Sequence, residues 1–205
     1  MGRHTTASCK LCRREGEKLM LKGERCFSEK CAFARRAYAP GQHGRLPVRA
    51  SEYRIRLREK QKARRIYGLT ERQFENYFEE ASVKKGATGE RLLEYLERRL
   101  DNVVNRFGFT PSRQSARQMI HHGGVMVNGS KVNIPSLRVK AGDAIKFKPK
   151  ISNQVKAYLE KTSDYTPPSW LMITGECEGK VAEIPKRENI ETTLQEHLIV
   201  EYYSR

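Results

Sequence analysis

Four of the five cysteines lie within residues 9–31 and could supply thiolate ligands to one metal ion. They form two pairs, Cys9-x2-Cys12 and Cys26-x4-Cys31, which 13 residues separate. Two short pairs of this kind are typical of structural zinc sites, in which four thiolates surround the metal as a tetrahedron. The sequence therefore predicts a metal site on these four residues, with zinc as the expected ion.

Two other chemistries suit the same thiols. An iron–sulfur cluster is also held by cysteine thiolates, and disulfides would form in an oxidising compartment. The first ten residues lack the apolar run of a secretory signal, so we expect the thiols to stay reduced. The alternatives that remain are an iron–sulfur cluster and no metal at all.

Basic residues are concentrated towards one end of the sequence. The chain carries 40 lysines and arginines against 24 acidic residues, which gives a formal net charge of +16. Residues 1–65 hold 19 of the basic residues and 6 glutamates, whereas residues 170–205 are slightly acidic. A surface of like charges repels itself unless a polyanion neutralises it, and nucleic acid is the expected polyanion.

Two segments of the first half are predicted to contact nucleic acid. A loop rich in Gly and Pro follows the cysteines, and its irregular backbone could lie flat on a phosphate backbone. Residues 54–65 then hold seven basic residues with only Glu59 acidic, and no turn residue interrupts them. They predict a helix that is basic around nearly its whole circumference and contacts RNA on more than one side. The candidate residues are Arg35, Arg36, Gln42, His43 and Arg45 in the loop, and Lys60, Lys62, Arg64 and Arg65 in the helix.

Residues 108–148 predict a compact surface made of a helix and a hairpin. Ser112 or Thr110 would cap a short helix, on which Arg113, Arg117 and His121 recur every four residues as a basic stripe. The dipeptide Asn128-Gly129 between alternating apolar residues is a strong hairpin signal. The candidate RNA contacts of this surface are Arg113, Arg117, His122, Asn128 and Lys131.

The elements that position these residues predict an α+β protein in three parts. We expect an extended metal-bound N-terminal module over residues 1–45 and a helical domain over residues 46–98. A small mixed α/β RNA-binding domain with antiparallel hairpins should follow over residues 99–189. Residues 190–205 are expected to pack back on the helical domain.

Local signals indicate where several helices begin and end. Thr70 and Gln73 predict a capping box, and apolar residues at helical spacing predict one helix from about Glu90 to Arg106. Thr193 with Glu196 predicts a second capping box for a final helix. Residues 170–174 and 181–184 are predicted to pair as strands.

We expect this chain to be neither an enzyme nor an integral membrane protein. The sequence has no Walker loop, dinucleotide fingerprint or nucleophile elbow, and His121-His122 has no acidic partner at a metalloprotease spacing. No stretch approaches the roughly 20 consecutive apolar residues of a membrane helix. We therefore expect a non-catalytic, cytoplasmic binding protein without a membrane partner.

Several of these segments together resemble a known family, the bacterial small-subunit ribosomal protein four family with a four-cysteine, zinc-type N-terminus. The resemblance covers nearly the whole chain and rests on CKLCRREGEKL, KGERCFSEKCA, the GQHG turn, LREKQKARRIYG, LERRLDNVV, SRQSARQMIHHGGVMVNG and LIVEYYSR in that order. The segment around SRQSAR and HHGGVMVNG is the core of a small RNA-binding domain that some RNA-modifying enzymes also carry. The cysteine pairs and the C-terminal ending narrow the resemblance to the ribosomal family.

The resemblance implies a structural protein of the small ribosomal subunit. It implies primary binding of ribosomal RNA at a multi-helix junction of the 5′ domain, where such proteins nucleate subunit assembly. It also implies contact with small-subunit protein five, which affects translational accuracy, and a place near the point where messenger RNA enters. Messenger RNA is accordingly a further expected partner at the ribosome.

Two positions depart from the family pattern. His121 stands where many relatives place Arg, and Gly124 stands where relatives often have His. Three rival functions share parts of the sequence: a zinc-containing DNA-binding regulator, an RNA-modifying enzyme, and a ribosome-rescue factor. The regulator would prefer duplex DNA, the enzyme would turn over RNA, and the rescue factor would bind the large subunit.

Overall fold

The computed structural model describes residues 7–46, 49–160 and 165–204. The chain divides into two compact units, the first formed by residues 1–91 with 192–205 and the second by residues 92–191. No helix among the described residues is long and apolar enough to cross a membrane.

The first unit begins with three short helices: α1, Ser8–Glu15; α2, Glu24–Phe27; and α3, Ala32–Arg35. Gly16 ends α1 in the left-handed region at φ 72°, and its N–H donates a hydrogen bond to the carbonyl of Cys12. The predicted extended conformation of this region is therefore wrong for α1, because Lys10, Leu11 and Arg13 are good helix formers that precede a glycine cap.

Three longer helices form the body of the first unit. They are α4, Glu52–Ile66; α5, Glu71–Val83; and the C-terminal α10, Glu196–Tyr203, while α6, Thr88–Glu97, contains the boundary between the units. The predicted capping box of α5 is confirmed, because Thr70 and Gln73 exchange both side-chain bonds with the backbone.

The helix α10 packs along α4 and brings aromatic rings to it. The rings of Tyr203 and Phe78 stack with centroids 4.4 Å apart, and Leu194 and Ile199 are buried. The predicted capping box of α10 is wrong. Gln195 precedes the helix without a side-chain cap, while the Thr193 hydroxyl donates to Glu17 at 2.6 Å.

The predicted single helix from Glu90 to Arg106 is interrupted within the second unit. Arg99 adopts an extended conformation between α6 and α7, Leu100–Arg106, and forms a β-bridge with Arg138. The N–H of Leu100 donates to the carbonyl of Leu137 at 2.8 Å, and the N–H of Val139 donates to the carbonyl of Arg98 at 2.9 Å. These bonds to a distant segment interrupt the helix. The helical spacing of apolar residues in the sequence gives no sign of them.

A five-stranded antiparallel sheet follows α8, Arg113–His121. Its strands lie in the order β2-β1-β3-β5-β4 and pair with antiparallel neighbours throughout. Their bounds are β1, Val125–Val127; β2, Ser130–Val132; β3, Ala144–Phe147; β4, Leu171–Gly175; and β5, Glu178–Val181. Asn128 and Gly129 both have positive φ, at 50° and 79°, as a tight hairpin turn requires, so the predicted hairpin is confirmed.

The core of the second unit lies between this sheet and the helices α7 and α8. It includes Trp170, Phe107 and Phe109, which are almost completely buried. The helix α9, Pro149–Leu159, lies beside it through Val155 and Ile151, and the sequence reasoning did not predict it. The mixed fold, with a helical N-terminal part and an antiparallel sheet, agrees with the predicted α+β class.

Candidate nucleic-acid interface

The four N-terminal cysteines are neighbours in the first unit. Cys12, Cys26 and Cys31 are buried and Cys9 is half-buried. The backbone N–H of Lys22 donates a hydrogen bond to Cys26 Sγ at 3.3 Å. Backbone donors aimed at sulfur favour thiolates, which are the form that binds metal.

The environments of two thiols shift their pKa values in opposite directions. Burial raises the pKa of Cys12, and the nearby sulfurs of Cys26, Cys9 and Cys31 raise it further, because like charges so close oppose each other. The backbone N–H of Ala34 lowers the pKa of Cys31. The donor chemistry therefore fits a metal, but no group of three or more His, Cys, Asp or Glu residues in the described ranges is arranged to hold one.

The predicted RNA-binding loop is folded against α1. Arg13 Nε donates to the carbonyl of Tyr38 at 3.0 Å, and the guanidinium groups of Arg13 and Arg45 lie over the Tyr38 ring at 5.0 and 4.7 Å. A side chain at Gly44 would overlap the carbonyl of Ala39, so this close turn requires glycine. The predicted residues Arg35, Arg36, Gln42, His43 and Arg45 are exposed in and before this loop.

The predicted cations of α4 are directed into the first unit. Lys60 is 3% exposed; its ammonium pairs with Glu71 and lies 4.5 Å from the centre of the Tyr202 ring. Lys62 is 8% exposed, pairs with Glu17 at 2.7 Å and donates to the carbonyl of Thr193 at 3.2 Å. The prediction that these two lysines contact RNA finds no support in this arrangement.

The two predicted arginines at the end of α4 are also paired within the first unit. Arg64 lies 2.9 Å from Gln61 Oε1 and 3.5 Å from Glu71, and Arg65 pairs with Glu15. Burial raises the pKa of Glu15 even though Arg65 and Arg58 lower it. The predicted all-round basic helix is thus largely neutralised, because glutamates from other segments fold onto it.

The predicted basic stripe of α8 is paired in a similar way. Arg117 donates from Nε and Nη2 to Asp101 Oδ2 at 3.1 and 2.7 Å, and Arg113 Nε donates to Asn102 Oδ1 at 2.6 Å. Asp101 also pairs with Arg99. Asp101, Asn102 and Arg99 are all buried. The predicted arginines of α8 therefore fix the helix to α7.

Asn128 has a structural part in the hairpin turn. Its Nδ2 donates to Asp143 Oδ1 at 2.8 Å, while its Oδ1 accepts from the N–H of Ala144 at 2.9 Å. The side chain is exposed at the turn, but both of its polar atoms are engaged by the segment before β3. This clamp explains why an asparagine suits the position of positive φ.

A group of lysine and histidine side chains remains outside these internal pairs and surrounds Gly123–Gly124. We call it the cationic turn surface. The side chain of Lys131 lies over Gly123, and the N–H of Lys148 donates to the carbonyl of Gly124 at 2.9 Å. In the part of the chain that the structure describes, no acidic side chain pairs with the members of this surface: His121, His122, Lys131, Lys148 and Lys150.

His121 was predicted only as part of the basic stripe of α8, and Lys148 and Lys150 were not among the predicted RNA contacts. Both belong to the segment KFKPK, in which Pro149 occupies the first turn of α9. Proline at the first helical position was the signal that could have located this helix. His122, Lys131 and Lys150 are exposed, and Lys148 is half-buried.

A cleft of about 440 Å³ opens beside this surface, between α8 and α9. Met119 and Ile151 form its apolar floor and also pack against the core. Its polar rim consists of Ser115, Gln118, His122, Lys150 and Gln154.

Two family models together match most of the chain. The model described as ribosomal protein S4/S9 N-terminal domain matches residues 3–97, and the model described as S4 domain matches residues 98–145.

Curated relatives are similar over the full length of both chains. Proteins named small ribosomal subunit protein uS4 are 54% identical in Pelotomaculum thermopropionicum and in Dictyoglomus thermophilum, and 55% identical in Acetivibrio thermocellus. Each of these alignments covers 100% of this chain and 100% of the relative.

Proposed function

Since the chain belongs to the family of small ribosomal subunit protein uS4, we propose that it binds a multi-helix junction in the 5′ domain of small-subunit ribosomal RNA. The family is one of structural ribosomal proteins, not enzymes. The chain is accordingly an RNA-binding component of the small subunit, and the finer proposal concerns where it binds and with what effect.

The cationic turn surface is the observation that carries this proposal. Among the described residues its lysines and histidines have no acidic partner, unlike the arginines of α8. Unpaired cations gain most from phosphate contact, because binding releases the counterions of the RNA. A folded junction is selected by its shape, since A-form RNA is read largely through phosphates and 2′-hydroxyls.

Binding across a salt series tests this proposal. Purified protein is titrated with a transcript of the 5′ domain, with large-subunit RNA and duplex DNA as competitors. We expect tight binding that resists both competitors and weakens steeply with salt. Equal affinity for all three polyanions would overturn the junction proposal, and preference for duplex DNA would favour a DNA-binding regulator.

We further propose that the protein nucleates subunit assembly and contributes to translational accuracy through contact with small-subunit protein five. The family resemblance supports both roles, as well as a position near the point where messenger RNA enters. Reconstitution of the subunit with and without the protein tests the first role. Loss of protein five from particles that lack this protein, together with altered misreading, is the result expected for the second.

We propose that Cys9, Cys12, Cys26 and Cys31 hold a structural metal ion, zinc by preference and an iron–sulfur cluster as the alternative. The shared neighbourhood of the four sulfurs and the N–H donors aimed at Cys26 and Cys31 support this. Such a metal supplies folding energy to a charge-rich segment that has few apolar residues to bury.

Metal analysis of the purified protein, with a visible absorption spectrum, distinguishes zinc from an iron–sulfur cluster. The double variant Cys9→Ser/Cys26→Ser should lose the metal and expose residues 1–45 to protease, while Cys177→Ser should retain both properties. If the double variant kept native protease resistance over residues 1–45, the structural role of the metal would be wrong.

A further inference from the structure

The cleft between α8 and α9 depends on the absence of a side chain at Gly124. A side chain at Gly124 would overlap Cδ1 of Ile151 and lie 3.1 Å from its Cγ1. The missing Cβ therefore lets Ile151 approach the end of α8, where it completes the apolar floor with Met119.

The rim of the cleft presents amide groups from both helices. Gln118 lies on α8 and Gln154 on α9, and both side chains are exposed. A glutamine amide offers one acceptor and two donors, so a pair of them can match the mixed donor and acceptor edge of a nucleobase. Ser115 adds a hydroxyl that can serve as donor or acceptor.

The charge of the lining favours a phosphorylated ligand. Lys150 and His122 belong to the rim, and no carboxylate is among the residues that line the cleft. The volume of about 440 Å³ lies within the roughly 300–1,000 Å³ of sites that hold compact ligands. An apolar floor, an amide rim and an adjacent cation are together the features that bind an unstacked base and its phosphate.

We propose that this cleft holds one unpaired nucleotide of the bound RNA, with its base on Met119 and Ile151, its Watson–Crick edge towards Gln118 and Gln154, and its phosphate at Lys150. The proposal rests on the proposed function and adds to it a base-specific contact beside the cationic turn surface. Phosphate contacts position the protein on RNA, whereas base contacts distinguish one sequence from another.

Chemical probing of the complex tests this contact. The full chain is bound to the 5′ domain transcript, and Watson–Crick edges are probed with dimethyl sulfate and a carbodiimide while hydroxyl radicals report the backbone. The wild-type protein should protect the edge of one unpaired base. In Gln118→Ala/Gln154→Ala this protection should be lost, and the affinity should fall about tenfold, with the backbone footprint retained.

The matched control is Gln114→Ala, which changes an exposed glutamine on α8 that does not line the cleft. It should retain both the protection and the affinity. Lys150→Gln should retain the base protection and lower the slope of log affinity against log salt by about 1. The variant Gln118→Ala/Gln154→Ala should leave that slope unchanged, because it removes no charge.

Two failures can be distinguished. If the wild-type protein binds the 5′ domain selectively but the double variant behaves like Gln114→Ala, the cleft does not hold a base and the proposed function stands. If the wild-type protein does not select the 5′ domain, both proposals fail. Should the double variant unfold at a lower temperature, Gln154→Glu supplies a second test, since it retains the size of the side chain and opposes a phosphate.

Discussion

The helix α4 and the cationic turn surface are both rich in basic residues, but they use them differently. In α4, Lys60 and Lys62 are buried and paired with Glu71 and Glu17, which come from other elements of the first unit. Around Gly123–Gly124, the lysines stand at the surface of the second unit without acidic partners among the described residues. The first group stabilises the protein, and the second is available to phosphate.

The difference shows that the density of basic residues in a segment does not tell how many of them stay without an acidic partner. The decisive quantity is how many carboxylates the rest of the fold brings to that segment. A buried cation and its partner exclude water, and removal of one partner leaves an uncompensated charge. An exposed lysine contributes little to folding and can be replaced at low cost.

The largest expected effect tests whether the arginines of α8 belong with the paired cations of α4. Asp101→Ala removes the carboxylate that holds both Arg99 and Arg117 while these side chains are 2% and 23% exposed. The free energy of unfolding of the second unit should fall by about 3–5 kcal/mol. Urea denaturation measures this. Glu183→Ala, at an exposed position, should change it by less than about 0.5 kcal/mol.

The next effect tests the paired cations of α4 directly. Lys60→Met/Lys62→Met retains the stems of both side chains but removes their charged hydrogen bonds, so the free energy of unfolding of the first unit should fall by about 2 kcal/mol. The salt slope of RNA binding should stay as in the wild-type protein. Lys30→Met, at an exposed lysine of the same unit, is the stability control. A reduced salt slope in the double variant would contradict the assignment of these lysines to the interior.

The cationic turn surface should show the opposite response. Lys131→Gln/Lys150→Gln should lower the salt slope of RNA binding by about 2, since each phosphate contact contributes about 1. Its unfolding temperature should equal that of the wild-type protein. Lys180→Gln on β5 is the matched control, because it removes an exposed lysine at a distance along the chain from Gly123–Gly124. An unchanged slope in the double variant would show that the comparison of the two regions is wrong.

The smallest effect concerns the pH dependence of the Glu17–Lys62 pair. Burial by itself raises the pKa of Glu17. Hydrogen bonds from Lys62 and Thr193 outweigh this effect and lower the pKa of Glu17 below its ordinary value of 4.5. The pair's contribution is therefore present above pH 4.5 and is lost as the pH falls through the lowered pKa. Because Glu17 is 37% exposed, the contribution is about 0.5 kcal/mol.

Unfolding of Glu17→Gln and wild-type protein between pH 7 and pH 3 measures this contribution. The difference in the free energy of unfolding should be largest near neutral pH and should shrink below pH 4.5. A difference that stays constant over this range would show that the carboxylate charge of Glu17 is not what the variant removes.

The features that the sequence predicted well are local ones. The capping box of Thr70 and Gln73 and the turn at Asn128-Gly129 each depend on a few consecutive residues, and both are present in the structure. The break at Arg99 was not predictable, because it depends on backbone bonds to a segment about forty residues further along the chain. Thr193 likewise does not cap α10, because its hydroxyl donates to Glu17, which is far away in the sequence.

The candidate site shows the same limit. Residue types and spacing identified basic residues but not the carboxylates that neutralise them, since Asp101 and Glu71 are distant in sequence from some of their partners. His122 and Lys131 were predicted contacts and lie on the cationic turn surface, whereas Lys150 was found only in the structure. Contact of any of these residues with RNA stays a prediction.

The first unit is built from two stretches that are far apart in the sequence, and this affects the order of folding during synthesis. Residues 192–205 are translated after the whole of the second unit, and they carry the α10 aromatic rings that lie beside Lys60. Domains generally fold as units while the chain emerges. The sheet of the second unit can therefore form before α4 receives its last partners, so that in time the N-terminal unit is completed last.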